Sequence, residues 1–321
     1  MSLTAIDKIF HELGPIPRLC FGTETSLVEH RANLNAALDG LTFSYLKDMA
    51  SRKYRELDAV SSKMYMLRRS NVDADCVGVD VMAISPFVAS KLAARMRTLL
   101  QPHELVHLFR RYLAKESTRI MAGDIFEAYC HVIFSTRIEF DFVPMVRVGD
   151  QTSIAAEPAA AWSPKWYSRS DFTKFGSLND SGAPEALHCV NASATNKTSL
   201  SIHPSRVIID YSPDSEVANG IQIESNVYYV PIKSDQVGID SFILHNNNLY
   251  LLQMSVVDDI HPGITNKLFP FLLSLKGLPP RSNWHFIFVK APGFNILTRP
   301  IPDHAELWDL ALYLAKVEVK S

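Results

Sequence analysis

Apolar and polar positions change their period along the chain, and the change divides it. Ile6, Ile9, Phe10 and Leu13 fall on one helical stripe, which Gly14-Pro15 stops. Leu34, Leu38, Leu41, Tyr45, Leu46 and Met49 carry helical spacing through the stretch Leu27 to Met66. Arg52, Lys53, Arg55, Lys63, Arg68 and Arg69 form a basic face, which reads as a solvated helix surface or, as the alternative, a nucleic-acid footprint. Tyr65 to Leu67 and Val77 to Ile84 read as short strands. Pro86 and Pro102 then open two helices, Phe87 to Leu100 and His103 to Lys115. Ser117 to Phe134 is a further amphipathic helix, with Ile120, Ile125, Phe126, Tyr129, Val132 and Ile133 apolar.

Beyond that point strands take over. Phe140 to Val148 is one, interrupted by Pro144. From Gly149 to about Ser205 the chain turns to Ser, Asn, Ala, Pro and Thr, which predicts an insertion of loops and short strands. Val207 to Ile209, Ile221 to Ile223 and Val227 to Val230 are short apolar runs. Val237 to Asp258 reads as a β-hairpin, because Ile239, Phe242, Ile243 and Leu244 lead into His245-Asn246-Asn247-Asn248 and Leu249 to Val257 lead back. Ile264 to Leu275 is expected to be a helix, His285 to Val289 a strand, and His304 to Val317 a closing amphipathic helix. The pattern predicts an α/β protein in which a mixed sheet is flanked by helices. A helical N-terminal region covers residues 1–116 and a second domain residues 117–321, with the insertion at about 149–205.

Composition narrows the class. A chain of 321 residues accommodates two domains, and 47% hydrophobic with 21% charged residues is a soluble globular profile. The formal net charge of −2 leaves nucleic-acid contact to a local patch, not to the chain as a whole. Cys20, Cys76, Cys130 and Cys189 are scattered with no C-x-x-C pair, which argues against a structural zinc or a disulfide framework and fits a reducing compartment. The first fourteen residues carry Asp7, Lys8 and Glu12 in place of a signal peptide's apolar core, and no apolar run reaches the ~20 residues of a membrane span. An intracellular protein of cytoplasm or nucleus, without a membrane partner, is expected.

Candidate chemistry concentrates on the hairpin. Asp240 stands near the start of its first strand, and Gln253 and Ser255 share one face of its second. A carboxylate and an amide oxygen on neighbouring strands suit Mg²⁺, which takes hard oxygen ligands beside water and phosphate. The alternative is a polar pair at a strand end bonded to backbone or water. Glu127, between Phe126 and Ala128 on a helix, is either surface-pointing or functional. His103-Glu104-Leu105-Val106-His107 has the zinc-protease spacing H-E-x-x-H. It begins directly after Pro102, precedes Arg110 and Arg111 and lacks an evident third ligand, so it reads as the polar first turn of a helix. No G-x-x-x-x-G-K-[ST], G-x-S-x-G or G-x-G-x-x-G occurs.

Ala122-Gly123-Asp124-Ile125-Phe126-Glu127, Tyr229-Val230-Pro231 before Gly238-Ile239-Asp240-Ser241-Phe242, Leu252-Gln253-Met254-Ser255-Val256 and His261-Pro262 follow in that order. The set resembles the C-terminal region of fungal Crinkler/RHS-type (retrotransposon-hot-spot-like) proteins over roughly residues 50–290. In that family a P-loop NTPase module precedes a restriction-endonuclease-like domain of the PD-(D/E)XK superfamily, and Leu13-Gly14-Pro15-Ile16-Pro17-Arg18 resembles the tail of the NTPase. The resemblance implies a restriction-endonuclease-like core and Mg²⁺ (or Mn²⁺) dependent hydrolysis of DNA. Glu127 takes the place of the helix glutamate and Asp240 that of the metal-binding aspartate. Gln253 stands where Asp or Glu is usual, and Ser255 where lysine is usual. Lys233, seven residues before Asp240, is the candidate for the missing ammonium, and His261 for support at the phosphate. The alternative implied is a catalytically inactive nuclease-fold effector or interaction module, with the helical N-terminal half as its surface for a protein partner.

Overall fold

The computed structural model describes residues 10, 14, 24–51, 61–70, 78–148, 165–168, 198–211, 222–231, 238–256, 268–291, 298–300 and 310–319. The chain forms two compact units, Met1–Ile133 with Val319–Ser321, and Phe134–Glu318. Each is described by itself.

In the first unit the helices α1 (Glu24–Asp39) and α2 (Phe43–Ser51) are followed by the antiparallel strands β1 (Tyr65–Ser70) and β2 (Gly78–Ala83), then by α3 (Pro86–Leu99), α4 (Pro102–Leu113) and α5 (Arg119–Thr136). Local chemistry accounts for the boundaries. The helical spacing after Leu27 breaks at Gly40, and Thr42 Oγ1 starts α2 by accepting the Tyr45 N–H at 3.1 Å. Ser85 caps α3 through a 3.1 Å bond from the Val88 N–H, with Pro86 in the first turn where its missing donor costs nothing. α4 opens with a capping box in which the Gln101 N–H donates to Glu104 at 2.8 Å. Its buried stripe is Leu105, Val106, Leu108, Phe109 and Tyr112. The Tyr112 hydroxyl donates to the Leu46 carbonyl at 2.8 Å, and Arg95 donates to the Leu38 and Asp39 carbonyls at the end of α1. The first expected helix lies almost wholly outside the described residues. Gly14, with φ of 81°, donates its N–H to the Phe10 carbonyl at 2.9 Å, as a helix-ending glycine does. The division between the units falls within α5, whereas the sequence pattern suggested a boundary after residue 116.

The second unit is organised on a mixed sheet. Its strands are β3 (Ile138–Val148), β4 (Lys165–Ser168), β5 (Thr198–Ile202), β6 (Arg206–Tyr211), β7 (Val227–Pro231), β8 (Ser241–His245), β9 (Asn248–Ser255), β10 (Trp284–Lys290), β11 (Thr298–Pro300) and β12 (Ala311–Lys316). They run in the order β11-β4-β3-β12-β10-β9-β8-β7-β6, with β5 also paired to β3. The hairpin β8–β9 forms as the polar turn demands: Asn246 and Asn247 have φ of 48° and 60°, the paired positive values of a two-residue turn whose twist matches the strands. β10 lies parallel to β9, and β12 parallel to β10. The short helix α6 (Leu268–Ser274) comes between the hairpin and β10. Leu268, Phe269, Phe271 and Leu272 of α6 share one core cluster with Phe242, Leu251, Phe286, Phe288, Leu312 and Leu314. Period-2 alternation puts those strand residues on a single face of the sheet.

Two expectations require correction. Ala311–Lys316 is a central strand, not part of a closing helix: it pairs with β10 along its length and with β3 from Tyr313 to Ala315, and it buries Leu312 and Leu314. Its apolar run fits either period, and the vacant ladder position decided between them. Of the expected strand Ile221 to Ile223, Ile221 lies outside the described residues and the other two form no strand. Gln222 makes an isolated parallel bridge to Lys276.

Candidate functional site

β9 leaves the turn with Leu249, Leu251, Gln253 and Ser255 on one face. Leu249 and Leu251 join the apolar cluster, and the last two positions on that face are polar and buried, Gln253 at 1% and Ser255 at 5% exposure. Asp240 immediately precedes β8 and is also buried. Its N–H donates to the Leu252 carbonyl at 2.9 Å, and its Oδ2 accepts the Met254 N–H at 2.5 Å. Met254 is the residue between Gln253 and Ser255, so the carboxylate lies at that step of the chain. The structure brings the Asp240 carboxylate to the backbone of the Gln253-x-Ser255 segment.

A fourth polar side chain joins them. The parallel register pairs Phe288 with Gln253 and Lys290 with Ser255. Lys290 is completely buried, and its Nζ donates to Ser255 Oγ at 3.3 Å. Sequence reasoning passed over it in favour of Lys233. The available signal was a lysine closing the apolar run Trp284-His285-Phe286-Ile287-Phe288-Val289, which is unusual because a buried ammonium needs oxygen partners. Only the pairing of β9 with β10 shows that Ser255 is one of them. Lys233 and His261 lie outside the described residues.

Glu127 belongs to the first unit. On α5 it stands one turn before His131, and its Oε1 lies 3.4 Å from His131 Nε2. Asp124, one turn before Glu127, completes a polar stripe. Burial, and next the charge of Glu127, push the Asp124 carboxyl up to about 8, so it keeps its proton near neutrality. Burial lowers His131 against the opposing pull of its bond to Glu127, with the Arg97 charge lowering it further. Burial also raises the Tyr65 phenol, with the charge of Asp124 next. His103 and His107 are both exposed, and Glu104 serves in the capping box, so the H-E-x-x-H spacing is the polar start of α4.

Among the described residues no three His, Cys, Asp or Glu side chains are gathered so as to hold a metal ion. Asp240 and Gln253 nevertheless offer a carboxylate and an amide oxygen. That donor set suits Mg²⁺, which is commonly held by one or two carboxylates and completes its shell with water and phosphate. No helix among the described residues is long and apolar enough to cross a membrane. Comparison with protein-family models, curated proteins and solved structures gave no match.

Proposed function

We propose that this protein is a PD-(D/E)XK nuclease-like protein of the Crinkler/RHS type that hydrolyses DNA phosphodiesters with Mg²⁺ or Mn²⁺. The observation that carries the reading is the attachment of the Asp240 carboxylate to the Gln253-Met254-Ser255 segment on neighbouring strands. The hairpin β8–β9, the helix α6 and the return of β10 parallel to β9 support a restriction-endonuclease-like core. Asp240 and Gln253 would hold the divalent cation, which supplies charge neutralisation at phosphate and a more acidic water. Electrostatic contacts at a site of such low exposure are strengthened.

A second reading is favoured by the same burial together with the Met254 bond. A carboxylate already engaged by backbone and closed off from solvent also suits a silent nuclease fold that works as an effector or interaction module. Nicking of supercoiled plasmid in Mg²⁺ and in Mn²⁺ separates the two. Cleavage by the intact chain and its loss in Asp240→Ala are expected. The absence of cleavage with either metal would overturn the enzymatic reading in favour of the silent one.

A further inference from the structure

We infer that Tyr313, His285 and Asn248 form a second, nucleophilic site, in which the Tyr313 hydroxyl takes the acyl group of an uncharged aryl ester. The site lies on the sheet face opposite the α6 cluster and is independent of the nuclease reading. Parallel pairing sets His285 beside Tyr250 and Ala311, and Tyr313 follows Ala311 by two residues, on the same face. His285 Nδ1 lies 3.3 Å from the Tyr313 hydroxyl, and His285 Nε2 lies 3.1 Å from Asn248 Oδ1. The strands β9, β10 and β12 therefore supply one side chain each to a single hydrogen-bonded chain. All three residues are half-buried, neither sealed in the core nor loose at the surface.

The direction of each bond follows from its far end. Asn248 Nδ2 donates to the Asn246 carbonyl at 3.1 Å, so Oδ1 is the atom turned to the imidazole. An amide oxygen only accepts, so the hydrogen of the neutral ring sits on Nε2 and the Nδ1 lone pair faces Tyr313. The phenol then donates to Nδ1, which is the arrangement of a nucleophile, its base and the group that orients the base. Burial lowers the His285 pKa, so the ring is a neutral base at neutral pH. Among the described residues the titratable groups facing it are Tyr250 and Tyr313. Burial raises both phenols, so neither brings a charge. Tyr250 lies flat on the imidazole, 5.2 Å between centroids and 23° between planes, and holds the ring in place. Phe142 meets Tyr313 edge-on at 4.9 Å, and walls of rings and an amide suit an uncharged aromatic ester. In the reaction Tyr313 Oη forms a bond to the acyl carbon, and the bond from that carbon to the leaving aryl oxygen breaks with its electron pair. The phenol proton passes to His285 Nδ1 and from there to the leaving oxygen.

The probe is p-nitrophenyl acetate on the full chain, with nitrophenolate release followed by absorbance and the acetyl group mapped by peptide mass spectrometry. A burst of about one nitrophenolate per chain is expected. The acetyl group should sit on Tyr313 and not on Tyr250, because both imidazole nitrogens are committed to Tyr313 and Asn248. Tyr313→Phe, which deletes only the hydroxyl, should abolish the burst and leave plasmid nicking unchanged, so this site and the Asp240 site stand or fall separately. His285→Phe should slow the burst about 10²-fold, the lower end of what a positioned base contributes. Asn248→Ala leaves the tautomer unset and should slow it at least about tenfold, whereas Asn248→Asp still accepts from Nε2 and should recover the rate. The burst should weaken only below about pH 6.5, where the imidazole takes up a proton. No burst, an acetyl group spread evenly over the tyrosines, or an unchanged rate in His285→Phe overturns the assignment. Should His285→Phe fail to fold by circular dichroism, the intact chain decides: acetylation of Tyr313 that is lost on acidification supports the site, and acetylation indifferent to pH overturns it.

Discussion

The molecule contains two polar clusters, one partly buried and one buried, that satisfy their polar groups in different ways. On α5, Asp124, Glu127 and His131 follow one another at helical intervals, so a single segment assembles them. At the strand ends, Asp240, Gln253, Ser255 and Lys290 come from three segments and meet only because the strands pair in one register. The helix cluster limits its negative charge by holding a proton on Asp124. The sheet cluster ties the Asp240 carboxylate to a backbone N–H and sets the Lys290 amine against the Ser255 hydroxyl. The lesson concerns how costs are met in a dry interior. Titration suffices where the acids crowd each other, whereas hydrogen bonds to backbone and hydroxyl groups hold the polar side chains at the strand ends.

Experiments can break this contrast, beginning with the largest expected effect. Asp240→Ala should lower plasmid nicking on the order of a thousandfold, about 4 kcal/mol at the transition state. An unaltered rate would mean that the sheet cluster is not the seat of the chemistry. The helix cluster is tested through pH. Asp124 has its value raised on folding, so its contribution is complete below about 4 and is lost as pH rises through about 8. His131 is lowered, so its contribution is present above its ordinary value near 6.5 and is lost as pH falls below it. The two oppose each other below about 6.5, and Asp124 acts alone above it. Thermal or denaturant unfolding should therefore show stability falling by up to about 1.4 kcal/mol for each pH unit between about 6.5 and 8. Asp124→Asn should flatten that slope, and a slope that survives would assign it to other groups.

Two smaller effects sharpen the comparison. Gln253→Glu adds a second carboxylate to the sheet cluster and should tighten Mn²⁺ binding about tenfold, roughly 1.4 kcal/mol, as read by calorimetry. An unchanged affinity would remove Gln253 from the cation's shell. Asn247→Ala places a residue with a side-chain carbon but no local hydrogen bonding at φ of 60° in the hairpin turn. It should cost about 1 kcal/mol of stability in chemical denaturation, with little effect on nicking.

The legible parts of the fold were those that one segment specifies alone. Ser85-Pro86 and Gln101-Pro102 announce helix starts, and the asparagines at 246 and 247 announce a turn with positive φ. The alternation through Gln253 and Ser255 announced a shared polar face in the same way. The segment Ala311–Lys316 was not legible, because a six-residue apolar run satisfies both helical and strand spacing, and its state depended on the vacant place between β10 and β3. Lys290 was hidden for a related reason. Its distance from Ser255 in sequence is large, and no local pattern encodes the parallel register that joins them.

The amino-acid sequence by itself determined the mixed class of the protein, its main helices, its central hairpin and the presence of a carboxylate and an amide on that hairpin. Tertiary structure alone decided which strand fills the sheet beside β10 and which cation stands at Ser255. The physical reason is range. Period, capping and turn conformation are set by neighbours a few residues apart, whereas pairing register and burial of charge depend on the free energy of bringing distant segments together.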